Sequence, residues 1–287
     1  MESNIKIKLW GVRGSTPCAN PENMRYGGNT SCIQISIPGM KELLIADCGT
    51  GFRNLGNELD SNGKSLMGKI FITHPHWDHL QGFPFFKPFY DPRNRFEVYM
   101  PPQDGIGCKE ILQGHLSNTF FPVSIDMLES ELDCITFEKG KLNFNKYTVE
   151  FMWANHTVPT AIFKFNIEGT IIVFAPDNEL PVNIDSDNKA FVDEFRAFVK
   201  GANVLIHDAQ FTKEQHLDRL GWGHSNWETV IELTKDLGIK RLCFSHHDPD
   251  HSDDTLDRIN SKIASIKGTS YDEAKVIQEG QEIYLPF

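Results

Sequence analysis

The sequence predicts a layered α/β fold on three observations. Short apolar or alternating runs bounded by Gly, Pro and Asn dominate the first half of the chain. In the second half such runs alternate with segments of helical period, the order expected of sheets covered by helices. The chain has 287 residues, 40% hydrophobic and 23% charged, enough for a large core, and no apolar run approaches the roughly 18 residues of a membrane span.

Residues 5–10, 31–37 and 43–46 read as strands, and 69–73 as another that runs straight into a histidine cluster. Residues 83–145, rich in Phe and Pro, read as an irregular insertion with some helix near 109–116, in an otherwise single domain of residues 1–287. Strands resume at 146–153, 161–167 and 170–174. Residues 189–200 place Phe191, Phe195, Phe198 and Val199 on one stripe, which predicts a helix. Strands at 204–206 and 242–244 flank a helix over 226–237. Ser225 and Glu228 start that helix as a capping box, and Gly238 stops it. A last helix, 254–266, carries Leu256, Ile259, Ile263 and Ile266 ahead of Gly268.

The six cysteines include no CxxC pair, which argues against a zinc ribbon or a dithiol redox site and favours reduced, mostly buried thiols. The N-terminal MESNIKIKLWGV reads as a first strand rather than a secretion signal, so the expected location is the cytoplasm, without membrane association. The formal net charge is −11 and no Lys/Arg cluster stands out. An extended nucleic acid is therefore not the expected partner, because such partners are gripped mainly by basic surface. A small anionic substrate remains compatible, provided that metal ions supply the local positive charge.

The chemistry concentrates in Thr73-His74-Pro75-His76-Trp77-Asp78-His79, which places three imidazoles and a carboxylate directly after a strand. These borderline-to-hard ligands suit Zn, Mn or Fe. On an extended turn His74 and His76 point one way, while Asp78 and His79 project into an adjoining volume, so one loop can feed two ions. Each ion needs further ligands, and the candidates stand where strands end: His156, Asp177 and His246. Asp177 is the natural bridge, since a carboxylate offers one oxygen to each ion.

The HxHxDH pattern of His74, His76, Asp78 and His79 resembles the hallmark of the metallo-β-lactamase superfamily. WGVRGSTP, YGGNTSC, ADCGTG, GFPFF, LIHDAQF, WGHS and SHHDPDHSD resemble its phosphodiesterase branch, which includes ribonuclease Z and the small cyclic-nucleotide phosphodiesterases. The resemblance implies a four-layer αββα sandwich with two divalent metal ions, Zn or Mn/Fe, at the sheet edges. It assigns one ion to His74, His76 and His156, the other to Asp78, His79 and His246, with Asp177 shared. His247 competes with its neighbour for the His246 role, although alignment on the preceding strand favours His246. Residues 175–179, APDNE, depart from the commoner GDT-like form around Asp177. Relatives of this fold often form dimers, so a homodimer is admitted.

Two divalent ions about 3.5–4 Å apart lower the pKa of a shared water and neutralise charge on the phosphate oxygens. Asp78 is the expected proton acceptor. His224, just before the helix over 226–237, is the expected general acid, as a His in the WGHS position is in the resembled phosphodiesterases. Asp208 would pair with it and favour the imidazolium. Asp47 is expected to orient the histidine loop through hydrogen bonds, and His207 to sit behind the site. Phe83, Phe85, Phe86, Phe89 and Tyr90 read mainly as a hydrophobic plug. His115, His216 and His251 carry no functional expectation.

The leading expectation is a metal-dependent phosphodiesterase acting on a small phosphodiester, a cyclic nucleotide above all. The alternatives are a tRNA 3′-processing endonuclease of the ribonuclease Z type and a lactone, lactam or thioester hydrolase of the same fold.

Overall fold

The computed structural model describes residues 4–60, 64–138, 140–266 and 269–287. The chain folds as two compact units, one of Met1–Gly11, Asn29–Glu138 and Glu279–Pro286, the other of Val12–Gly28, Lys139–Gln278 and Phe287.

The first unit is built on a seven-stranded mixed sheet. Its strands are β1 (Asn4–Gly11), β2 (Cys32–Ser36), β3 (Leu43–Ala46), β4 (Met67–Phe71), β5 (Arg95–Met100) and β6 (Glu131–Thr136), and the C-terminal strand Glu282–Pro286 lies outside β1. Pairing is antiparallel from the C-terminal strand to β3 and parallel from β3 to β6. Alternation sets the faces: Ile5, Ile7 and Leu9 are fully buried, while Lys6 meets Glu282 at 3.2 Å on the other side. The helix Gly51–Asp60 covers one face, with Phe52 stacked on Phe86 at 3.9 Å between ring centroids. Phe83, Phe86 and Phe89 are buried and form the expected plug, whereas Phe85 and Tyr90 reach the surface.

The stretch 83–145 is more regular than its composition suggests. It supplies β5, β6 and the helix Cys108–His115, extending the sheet by two parallel strands. Charges on the solvent side hide the alternation: Phe96, Val98 and Met100 point inward, while Arg95 pairs with Asp133 and Glu97 with Lys69. The Gly51–Asp60 helix, too, was not expected, because it opens from the Gly-rich run Cys48-Gly49-Thr50-Gly51.

The second unit holds the other seven-stranded mixed sheet, in sequential order. Its strands are β7 (Lys141–Asn143), β8 (Tyr147–Trp153), β9 (Ala161–Ile167), β10 (Thr170–Ala175), β11 (Val204–Asp208), β12 (Arg241–Ser245) and β13 (Glu273–Val276). Strands β7 to β10 pair antiparallel and β10 to β13 parallel. The helices Lys189–Val199, Trp227–Thr234 and Asp253–Ser265 bury Phe195, Val199, Val230, Leu256 and Ile259 in this unit's core. The expected stop at Gly268 lies outside the described residues.

The capping expectation needs a correction. Asn226, not Ser225, is the N-cap of Trp227–Thr234 and accepts the Thr229 N–H at 2.8 Å. Ser225 is used elsewhere: its hydroxyl donates to the Asn178 carbonyl and accepts the Leu180 N–H.

The arm Val12–Gly28 is fastened by one buried guanidinium. Arg13, with no exposed surface, donates to the carbonyls of Gly27, Asp248 and His251. Asp253 then accepts the backbone N–H groups of Arg25 and Tyr26. Among the described residues no helix is long and apolar enough to cross a membrane. The cysteines are all free thiols, four of them buried.

Candidate metal centre

In open α/β sheets ligands gather beyond the carboxyl ends of parallel strands, and several of the candidate side chains of each unit follow such strands, whereas His156 follows the antiparallel β8. In the first unit β4 ends at Phe71, and two residues later the chain enters His74 to His79, with the short helix Trp77–Leu80 carrying Asp78 and His79. Asp47, directly after β3 and at a φ of 63°, anchors this loop. Its carboxylate accepts the Thr73 N–H and hydroxyl at 2.9 Å, the Ser31 hydroxyl at 2.8 Å and His79 Nδ1 at 2.7 Å. With Nδ1 held, His79 presents Nε2, which lies 3.3 Å from Asp78 Oδ2. Thr73 Oγ1 likewise lies 3.1 Å from His74 Nδ1. A second group that fixes the far ring nitrogen is how proteins orient ligating imidazoles. Asp47 therefore has the orienting position that the sequence suggests.

In the second unit β8 leads to His156, β10 to Asp177, β11 to Asp208 and β12 to His246. Asp177 is buried, and its two oxygens face different rings: Oδ2 lies 3.6 Å from His156 Nε2 and Oδ1 lies 3.2 Å from His246 Nε2. This is the disposition of a bridging carboxylate. His156 Nδ1 is bound to the Gly223 carbonyl at 2.9 Å. His246 adopts a left-handed backbone, φ 58°, a region that few non-glycine residues enter, although histidine does so more often than most.

Two glycines make room for these rings. A Cβ on Gly223 would stand 2.1 Å from His156 Nδ1, and one on Gly14 2.4 Å from His246 Nδ1. The WGHS and GVRGSTP motifs thus each place a glycine directly against an imidazole.

His247 points elsewhere. Its Nε2 donates to the Ile277 carbonyl at 2.8 Å, its ring stands edge-on to Tyr26, and burial, with the Arg13 charge added, pushes its pKa down to about 3. The structure turns His246 toward Asp177 and His247 into the core.

His224 Nδ1 lies 3.0 Å from Asp208 Oδ2, and its ring stacks on His246 at 4.9 Å. Asp177, His224 and His246 are close enough to form a metal-binding group by themselves. The nitrogen that His224 turns toward Asp177, at 4.0 Å, is however the one committed to Asp208. Asp208 Oδ2 also accepts the N–H groups of Asn178 and Ser225, and Oδ1 that of Gln210. His207 lies behind: Nδ1 donates to the Asp208 carbonyl, Nε2 meets the Asn178 amide, and burial lowers its pKa.

Glu179 escaped sequence reasoning. Burial pushes its carboxyl pKa up, but His216 and the backbone N–H groups of Gly221 and Gly223 outweigh burial and hold it below the usual value. It pins the loop that delivers His224 and the Gly223 carbonyl. The only signal was its place two residues after Asp177, together with a His216 that had no assigned role.

Imidazole and carboxylate donors with their outer nitrogens fixed from behind, and a carboxylate with an oxygen toward each of two rings, are a donor set that fits a pair of divalent ions.

Comparison with known proteins agrees. A curated Ribonuclease Z of Streptococcus suis is 23% identical over 301 residues, covering 90% of this chain and 94% of that protein. The crystal structure of human tRNase Z, short form, superposes with a TM-score of 0.64 at 17% identity over 98% of this chain and 100% of that one. Unliganded yeast PDE1 superposes with a TM-score of 0.69 at 14% identity, covering 99% and 100%. These likenesses establish the α/β sandwich fold, and a relative named Ribonuclease Z counts against the expectation that an acidic chain avoids extended nucleic acid. Residues 43–247 match the family described as the Beta-lactamase superfamily domain. The chain belongs to the metallo-β-lactamase superfamily and is a metal-dependent hydrolase.

Proposed function

We propose that this hydrolase cleaves a phosphodiester at a two-ion centre, with His224 as the general acid. His74, His76 and His156 would hold one ion and Asp78, His79 and His246 the other, with Asp177 between them. Bound ions of this kind supply a water of lowered pKa and neutralise charge on the non-bridging phosphate oxygens. The protein's own groups do the rest. Asp78 accepts a proton from the attacking water, whose oxygen bonds to phosphorus opposite the departing ester oxygen. That P–O bond breaks, and the leaving oxygen takes its pair of electrons together with a proton from His224 Nε2. Asp208 holds the ring by Nδ1 and stabilises the imidazolium beforehand. A linear diester gives an alcohol and a phosphomonoester, and a cyclic one gives a single ring-opened phosphomonoester that carries the freed hydroxyl.

One observation carries this reading: the Asp177 carboxylate faces His156 and His246 through separate oxygens, with the His224–Asp208 pair beside it. Thioester hydrolysis, whose thiolate departs without an acid, has no comparable use for that pair. In the variant His224→Ala, kcat for an alkyl phosphodiester should fall about 10²- to 10⁴-fold while metal content holds. Unchanged turnover would remove the acid from the mechanism.

For the substrate, a small diester such as a cyclic nucleotide is the first reading, supported by the net charge of −11. A ribonuclease Z-type activity on RNA is the second, favoured by the Ribonuclease Z relative that covers most of the chain. Comparing kcat/KM for cyclic nucleotides and precursor tRNA decides between them.

A further inference from the structure

The first unit brings together two thiols that lie far apart in the sequence. Cys134 sits on β6, the last strand of its sheet, and Cys108 opens the helix Cys108–His115. In the parallel pairing of β5 with β6, Cys134 stands beside Val98, and both side chains pack in the core that this helix covers. Cys108 is fastened to the same spot twice. Its N–H donates to Thr136 Oγ1 at 2.8 Å, and its thiol donates to the Val98 carbonyl at 3.5 Å. Thr136, two residues beyond Cys134, shares its face of the sheet. The Cys108 thiol is thereby held against the Cys134 sulfur, with which it also makes a hydrogen bond.

The two sulfurs are not equivalent. Cys108 has no exposed surface, whereas Cys134 is half-buried on the edge strand. The bond from Cys108 lowers the Cys134 pKa more than burial raises it, and the charge of Lys109 adds to the lowering. The same bond holds the proton on Cys108. Elsewhere burial pushes the thiols of Cys18, Cys32, Cys48 and Cys243 up. Thiolates, not thiols, attack oxidants, so Cys134 is the sulfur that reacts first and Cys108 the one that resolves it. A disulfide needs the sulfurs at about 2.05 Å, which a small shift of the edge strand or of the first helical turn supplies.

We propose that Cys108 and Cys134 are a dithiol modification site, which hydrogen peroxide converts reversibly to a disulfide within the chain. The Cys134 thiolate attacks one peroxide oxygen. An S–O bond forms, the O–O bond breaks, and the departing hydroxide takes up the proton that Cys134 released, giving water. The Cys108 thiolate then attacks the Cys134 sulfur. An S–S bond forms, the S–O bond breaks, and the hydroxide leaves with the Cys108 proton as a second water. Two thiols are oxidised to one disulfide and one peroxide is reduced to two waters. The site is independent of the phosphodiesterase reading, since neither sulfur belongs to the proposed metal centre.

The test treats the full zinc-loaded chain with a small excess of hydrogen peroxide, blocks the remaining thiols with N-ethylmaleimide and maps the peptides by mass without reductant. The wild type should lose two of its six thiols together and yield one linked peptide pair, Cys108 with Cys134, which dithiothreitol separates again. In Cys108→Ala the reaction should stop at a sulfenic acid on Cys134 that dimedone traps, and in Cys134→Ser Cys108 should stay reduced. The wild-type map decides the matter even where a variant does not fold. A wild type with no linked pair, with a pair made by other cysteines instead, or with Cys134 oxidised beyond the sulfenic acid while Cys108 stays free, would overturn the site.

Discussion

Gly223 shows how far single residues set this site. His156 occupies the place where its side chain would be, and its carbonyl takes the imidazole Nδ1. Any Cβ there must push the ring off its axis, and the residue already adopts φ 86°, which L side chains resist. Gly223→Ala is therefore expected to weaken metal binding about 10- to 100-fold, the usual cost of disturbing the groups behind a ligand. Competition against a chromogenic chelator would measure it, and wild-type affinity in the variant would contradict the packing argument. At this scale the sequence was most informative where several ligand types crowd into a few positions, as from His74 to His79. It was silent on Glu179 and Arg13, whose partners are largely backbone N–H and C=O groups far along the chain. No spacing rule connects a carboxylate at 179 to amides at 221 and 223; only the folded loop does.

Among elements, the 219–224 loop depends most on one charge. Glu179 accepts two of its N–H groups, and its folded pKa is lower than that of an ordinary glutamate. A carboxyl depressed in the fold contributes stability that is complete above its unfolded pKa of about 4.3 and disappears as pH falls through the lower folded value. Acidification below about pH 4 should therefore loosen this loop. Amide exchange at Gly221 and Gly223 would report it as a rise in rate at low pH, after correction for intrinsic exchange. Glu179→Gln should lose about 2 kcal/mol and most of that pH dependence. A variant that keeps the wild-type pH profile would show that Glu179 is not the anchor. Elements with clean periodicity were legible: 161–167 was expected as a strand and is one, and the helix expected over 189–200 is Lys189–Val199. Strands β5 and β6 were not, because charged residues paired across neighbouring strands interrupt their apolar pattern. The Ser225 cap failed for a different reason. Two adjacent residues could each cap the helix, and the tertiary contacts of Ser225 with Asn178 and Leu180 decided between them.

At the level of the whole molecule, both seven-stranded sheets divide into an antiparallel and a parallel half, and the candidate ligands follow from this. Loops after β4, β10 and β12 carry His74 to His79, Asp177 and His246. The α/β class was readable from the order of runs, whereas the two-unit division was not. The chain leaves the first unit after Gly11 and returns at Asn29, and again between Glu138 and Glu279, without any linker composition to mark the crossings. An acidic chain with a net charge of −11 also suits the concentration of cations around it. The central proposal is that these residues would hold a pair of ions, with Asp177 serving both, and elemental analysis of the purified chain beside Asp177→Ala tests it most directly. The account predicts two divalent ions per chain in the wild type and fewer than two in the variant; a wild type that binds fewer than two under excess metal, or an Asp177→Ala chain that retains both, would contradict it.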